Sequence, residues 1–194
     1  MRTTSPGEKI PNSDHVYVRV LLSKIKIHSD DDFTISDSAF HNTPEDGPDL
    51  SCDWDRFVTP TESWENISNN IRRNGTSSDP NKFIIVSFNV GDLLEIPVEN
   101  VIYDPMNFGG SELINHAHSA IIKDWDDEDI KDKMSGLAKV EIVGSPEKVV
   151  LLAKIFRIKV NLHNWKDATK EALIEKRERD RIELVRLEEE LGSL

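Results

Sequence analysis

The sequence predicts an α+β protein, a small mixed sheet with flanking short helices and a long C-terminal helix. Three observations predict it. Apolar runs of strand length, alternating or continuous, recur between residues 15 and 143 and are separated by turn-forming clusters. Short amphipathic segments fall between those runs. From residue 164 the composition changes to strong helix formers with no proline and a single glycine, Gly192.

Residues 1–13 are polar, carry Pro6, Gly7 and Pro11, and read as a flexible lead-in. The α+β domain is expected over 14–163. It opens on a strand in which Val16, Val18, Val20 and Leu22 alternate. The phase then flips to Ile25 and Ile27, so a bulge or short turn is expected near Ser23. Residues 29–64 are loop-rich, with short ordered pieces at 33–35, 38–40 and 50–52. A helix is expected from about Thr61 to Arg72, with Trp64, Ile67 and Ile71 on one face. Residues 74–82 form a turn, and 83–88 (FIIVSF) a buried strand. Asn89 is placed to cap a short helix over 90–94, with Asp92 in its first turn. A strand over 98–103 ends at Asp104-Pro105, and a glycine-bearing loop leads to a further strand at 115–122. Residues 126–139 are helical, with Ile130, Met134 and Leu137 at four and three spacing, and 140–143 form a short strand. Ser145-Pro146-Glu147 starts another helix. Over 146–163 the first half suits that helix, whereas Phe156, Ile158, Val160 and Leu162 alternate, so a helix running into a strand is expected. Residues 164–194 read as an extended charged helix whose Leu184, Leu187, Leu191 and Leu194 make a short seam. Its middle, 175–181, is wholly charged, so the leucines are expected to dock on a protein partner or a second copy.

The chain has 24 basic and 36 acidic side chains in 194 residues, a net charge of -12, and its basic residues are dispersed. That pattern argues against direct nucleic-acid binding. No run approaches the roughly 18 apolar residues of a membrane span, and residues 1–14 lack the apolar stretch of a signal peptide. Cys52 is the sole cysteine. An intrachain disulfide is therefore impossible, and a cytoplasmic location is expected. Dinucleotide, P-loop, zincin and nucleophile-elbow motifs are absent, and no cofactor is expected.

Four residues are the candidates for chemistry: Arg19, Ser51, His116 and His118. If 115–122 is a strand, His116 and His118 share a face. Such a pair can hold a metal with a third ligand from Asp104, His41 or Asp124, or serve a phosphate or acid–base role. The favoured reading is plainer, histidines packed at a strand end with no metal. Arg19, between Tyr17 and Leu21, calls for a bound anion or, in the favoured reading, a carboxylate partner within the chain. Cys52 sits among Asp49, Asp53 and Asp55, whose charges make it a poor nucleophile.

Arg19 in an opening strand, Ser38-Ala39-Phe40, Leu50-Ser51-Cys52-Asp53, Asp104-Pro105 and Asn115-His116-Ala117-His118 together resemble a loose set of small bacterial proteins. These share an arginine strand, an S-A-F element, an L-S-V-D element and a late N-P-x-H or N-H-A-H segment. The resemblance spans about residues 17–125 and implies no established activity. Cys52 replaces the usual apolar residue, and the charged tail lies outside the pattern. The order of arginine and serine also resembles ADP-ribosyltransferase-like folds, which would need a later catalytic glutamate; Glu95, Glu99 and Glu141 have no anchoring motif.

The expected function is a non-enzymatic interaction or accessory subunit of a bacterial cytosolic complex, docking through its C-terminal helix and acidic surface. The alternative is an enzyme acting on a nucleotide or phosphate-bearing substrate. That alternative requires Arg19, Ser51, His116 and His118 to meet in one pocket.

Overall fold

In the computed structural model, residues 4–30, 32–41, 49–71, 75–109, 111–123, 127–141, 146–166 and 171–193 are described. The alternating opening segment forms β1, His15–Leu21, with Val16, Val18 and Val20 buried. Tyr17 and Arg19 take the opposite face, as the period of two demands. The phase flip is absorbed by a 3-10 turn at Leu22–Lys24, after which β2, Ile25–Ile27, begins. β3 covers Phe33–Ile35, and the S-A-F element lies in a 3-10 turn, Asp37–Phe40.

β4, Asp49–Trp54, buries Leu50, Cys52 and Trp54 on one face and turns Ser51 and Asp53 to the other. Helix α1, Pro60–Glu65, opens earlier than expected because Thr59 caps it, in a reciprocal capping box with Glu62. It also ends earlier, passing into a 3-10 turn at Asn66–Asn69; Ile71 bridges to Ser77, and Arg72 lies outside the described residues. β5, Phe83–Asn89, is the buried strand, and Asn89 caps α2, Val90–Leu94, by accepting from the Asp92 N–H. β6 (Val98–Tyr103), the hairpin β7 (Met106–Asn107) and β8 (Ile114–Asn115), and β9 (His118–Lys123) follow. Helix α3, Glu128–Leu137, buries Ile130 and Met134, and β10 is Lys139–Val140.

These strands give a six-stranded sheet in the order β10-β5-β1-β4-β9-β6, with β2–β3 and β7–β8 as separate two-stranded sheets. The architecture is α+β, as the sequence predicts. The described pairings of the main sheet are antiparallel rather than mixed. The longest ladder joins β1 to β5, from His15 opposite Asn89 to Leu21 opposite Phe83. Residues 7–10 are no free lead-in. Gly7 donates to the Tyr103 carbonyl and Ile10 to the Val101 carbonyl, so this segment runs along the β6 edge and buries Ile10.

The chain divides into two compact units, Met1–Lys24 with Ile35–Ile142, and Ile25–Thr34 with Val143–Leu194. The first contains the six-stranded sheet. In the second, residues 146–164 form one helix, α4, Pro146–Asn164, and not a helix followed by a strand. Leu151, Ile155 and Ile158 recur at four and three spacing, and they pack with Leu184, Leu187 and Leu191 of α5, Glu171–Gly192. Facing apolar stripes of that kind reward a helix, whereas the alternating set leaves Val160 41% exposed. The leucine seam is therefore packed within the chain, on α4; Leu194 and the Ser145 cap position lie outside the described residues.

Candidate functional site

Asp49, Ser51 and Asp53 share one face of β4 because strand side chains alternate. In the antiparallel register Ser51 stands opposite Ala120 and Asp53 opposite both His118 and Tyr17. Three neighbouring strands, β1, β4 and β9, thus deliver Arg19, Ser51 and His118 to the same side. They line a cavity of about 580 Å³ together with Asp49, Asp104 and Met106.

Ser51 Oγ lies 2.8 Å from His118 Nε2, and His118 Nδ1 lies 2.5 Å from the Asp104 carbonyl oxygen. A main-chain carbonyl only accepts, so Nδ1 carries the proton. In the neutral ring Nε2 is then the acceptor, and Ser51 donates to it. A base whose tautomer is fixed by an acceptor behind it, with a hydroxyl in front, is the arrangement of an activated serine nucleophile. His118 is 8% exposed, whereas Ser51 is exposed, so the hydroxyl is reachable and the base is held.

Beneath this pair Asp53 is a buried hub, 1% exposed. Its Oδ2 accepts from Arg19 NH2 at 2.5 Å and from Ser63 Oγ at 2.5 Å, and its Oδ1 accepts from Asn115 Nδ2 at 2.8 Å. A buried carboxylate that receives three donors is fixed in position by them. Arg19 thus has a carboxylate partner within the chain, the reading favoured from sequence. Its Nε is buried and has no hydrogen-bond partner among the described residues.

His116 is not in this constellation. Asn115 Oδ1 accepts from the Ala117 N–H at 3.0 Å, which turns the chain at residues 116–117 before β9 begins. His116 sits in that turn, exposed, and the same-face pair expected of a continuous strand does not form. Of the further metal-ligand candidates, His41 Nδ1 lies 3.2 Å from Lys131 Nζ, Asp104 meets His118 through its main-chain carbonyl, and Asp124 lies outside the described residues. Cys52, on the opposite face of β4 from Ser51, is buried; desolvation first, and then Asp53, pushes its thiol well above the ordinary range.

Sequence reasoning missed Asp53 and Asn115 as site residues, and Ser63. Asp53 was within reach, since its place two residues after Ser51 puts both on one strand face. Asn115 and Ser63 depend on tertiary approach.

No family model, no curated protein and no solved structure matches the chain.

Proposed function

We propose that the chain is an enzyme that uses Ser51 as nucleophile and His118 as its general base on a small molecule held in the β1–β4–β9 cavity. The observation that carries this is the hydrogen bond from Ser51 Oγ to His118 Nε2, at 2.8 Å, with Nδ1 tied to the Asp104 carbonyl. The proton of Ser51 has a base to go to, and that base cannot rotate away without losing a bond to the main chain. Three of the four residues named from sequence for an enzyme line or flank this pocket; its charge, though, speaks against a nucleotide. Arg19 is offset by Asp53, and Asp49 and Asp104 line the wall, so a polyanion would meet net negative charge.

The test is covalent labelling. A phosphonofluoridate incubated with the full chain is expected to add once, at Ser51, by intact-mass and peptide mass spectrometry. Ser51→Ala and His118→Gln are expected to abolish the adduct while retaining the folded circular-dichroism spectrum. A wild-type chain that stays unlabelled, or is labelled elsewhere, overturns the proposal.

The interaction-subunit reading keeps one supporting observation. With the leucine seam packed on α4, α5 still exposes Ile182 at 73% and Val185 at 56%. Sedimentation of the intact chain beside an Ile182→Glu, Val185→Glu double variant tests self-association through this face: a monomeric mass in both argues against a homodimer there.

A further inference from the structure

We infer that the Ser51–His118 pair acts on an uncharged carboxylic acyl compound, an ester or thioester, whose carbonyl oxygen is received by the guanidinium of Arg19. This rests on the nucleophile–base reading above and names its substrate class.

Arg19 carries the argument. One terminal nitrogen is committed to Asp53, at 2.5 Å, which fixes the plane of the guanidinium. The side chain keeps 21% exposure. Arg19 lines the same cavity as Ser51, on the neighbouring strand and the same face of the sheet. A donor with fixed positive charge beside a serine nucleophile is the element that a developing oxyanion requires.

The rest of the wall selects against phosphoryl groups. Asp49 and Asp104 add negative charge, while Met106 and Phe108 offer apolar surface for an acyl chain. Met106 is 49% exposed, so the apolar wall continues to the mouth of the cavity. About 580 Å³ suits a small ligand.

The chemistry then balances without a further reagent. Ser51 Oγ bonds to the carbonyl carbon as its proton passes to His118 Nε2, and the carbonyl electron pair moves onto the oxygen facing Arg19. Collapse breaks the bond to the leaving oxygen or sulfur, which takes the proton from Nε2 and departs as an alcohol or thiol. Water repeats the sequence on the acyl-serine, giving its proton to His118 and releasing the carboxylic acid, and Ser51 regains its proton.

The experiment compares hydrolysis of p-nitrophenyl butyrate and p-nitrophenyl phosphate by the full wild-type chain and by Arg19→Lys. Lysine keeps a positive charge opposite Asp53 and removes the planar, forked donor. Wild type is expected to turn over the butyrate in a Ser51-dependent manner and not the phosphate. In Arg19→Lys, kcat for the butyrate is expected to fall about 100-fold with KM little changed. Phosphate turnover, or butyrate turnover undiminished in Arg19→Lys, overturns the inference. A chain labelled at Ser51 by the phosphonofluoridate that hydrolyses no butyrate also overturns it, while the nucleophile reading stands; an unlabelled chain removes both. If Arg19→Lys does not fold, the ester–phosphate comparison between wild type and Ser51→Ala still decides the substrate class.

Discussion

Ser51 and His118 stand 67 residues apart in the chain and 2.8 Å apart in the fold. They meet diagonally across two antiparallel strands, because Ser51 is level with Ala120 and His118 lies two residues before it. The contact is thus a product of register: a one-residue slip of β9 would turn His118 to the other face.

The two partners should respond differently to truncation. Ser51 is exposed and its hydroxyl has water as an alternative partner, so Ser51→Ala is expected to change stability by no more than about 1 kcal/mol. His118 is 8% exposed and satisfies the Asp104 carbonyl, so His118→Ala should destabilise by about 2–4 kcal/mol through a cavity and a stranded acceptor. Urea unfolding of both variants checks this. Equal losses would mean that Ser51 is a structural residue.

Asp53 is expected to be among the most sensitive positions in the first unit. Its removal leaves Arg19, at 21% side-chain exposure, facing no counter-charge and strands donors from Ser63 and Asn115. Asp53→Ala should therefore destabilise by about 3–5 kcal/mol. The double variant Arg19→Met, Asp53→Leu should be less destabilised than the sum of its single changes, because no buried charge is left alone. A double-mutant cycle in urea measures it; strict additivity would show that the pair is not coupled.

How far this was legible in the sequence follows from which forces decide each element. Strand alternation in 15–21 is local, and it placed Arg19 on the face opposite Val16 correctly. The break at residues 116–117 comes from one side chain, Asn115, reaching both Asp53 and the Ala117 N–H, and neither contact can be read from apolar spacing. Over 156–162 the apolar positions fit both periods, and only the facing leucines of α5 decide for a helix. The Ser51–His118 contact depends on which strands pair and in what register, and that is fixed by the whole sheet.

Asp55 supplies a pH-dependent prediction. Burial raises its carboxyl above the ordinary 3.8, and Asp14 adds to the rise. The folded chain then holds this proton more tightly than the unfolded chain. The group favours folding below 3.8 and opposes it as pH rises through the raised value. Asp55→Asn should accordingly be as stable as wild type or more so at neutral pH, since the amide oxygen can still accept the His15 N–H bond of 3.0 Å. The advantage should vanish in acid below 3.8. Thermal melts across pH test this; a variant clearly less stable at neutral pH would mean that the Asp55 charge is needed.

The two faces of α5 differ in burial. Leu187 is 2% exposed and packs against Leu151 and Ile155, whereas Ile182, on the same helix, is 73% exposed. If the seam belongs to the α4–α5 packing, Leu187→Ala opens a cavity and should destabilise the helix pair by about 2–5 kcal/mol. Ile182→Ala removes little buried surface and should stay within about 0.5 kcal/mol. Amide hydrogen exchange of the intact chain reads this locally: Leu187→Ala should lose protection along α4 and α5, and Ile182→Ala should not. The reverse pattern would mean that the exposed face, and not the leucine seam, is where α5 finds its burial, as a helix committed to another chain would.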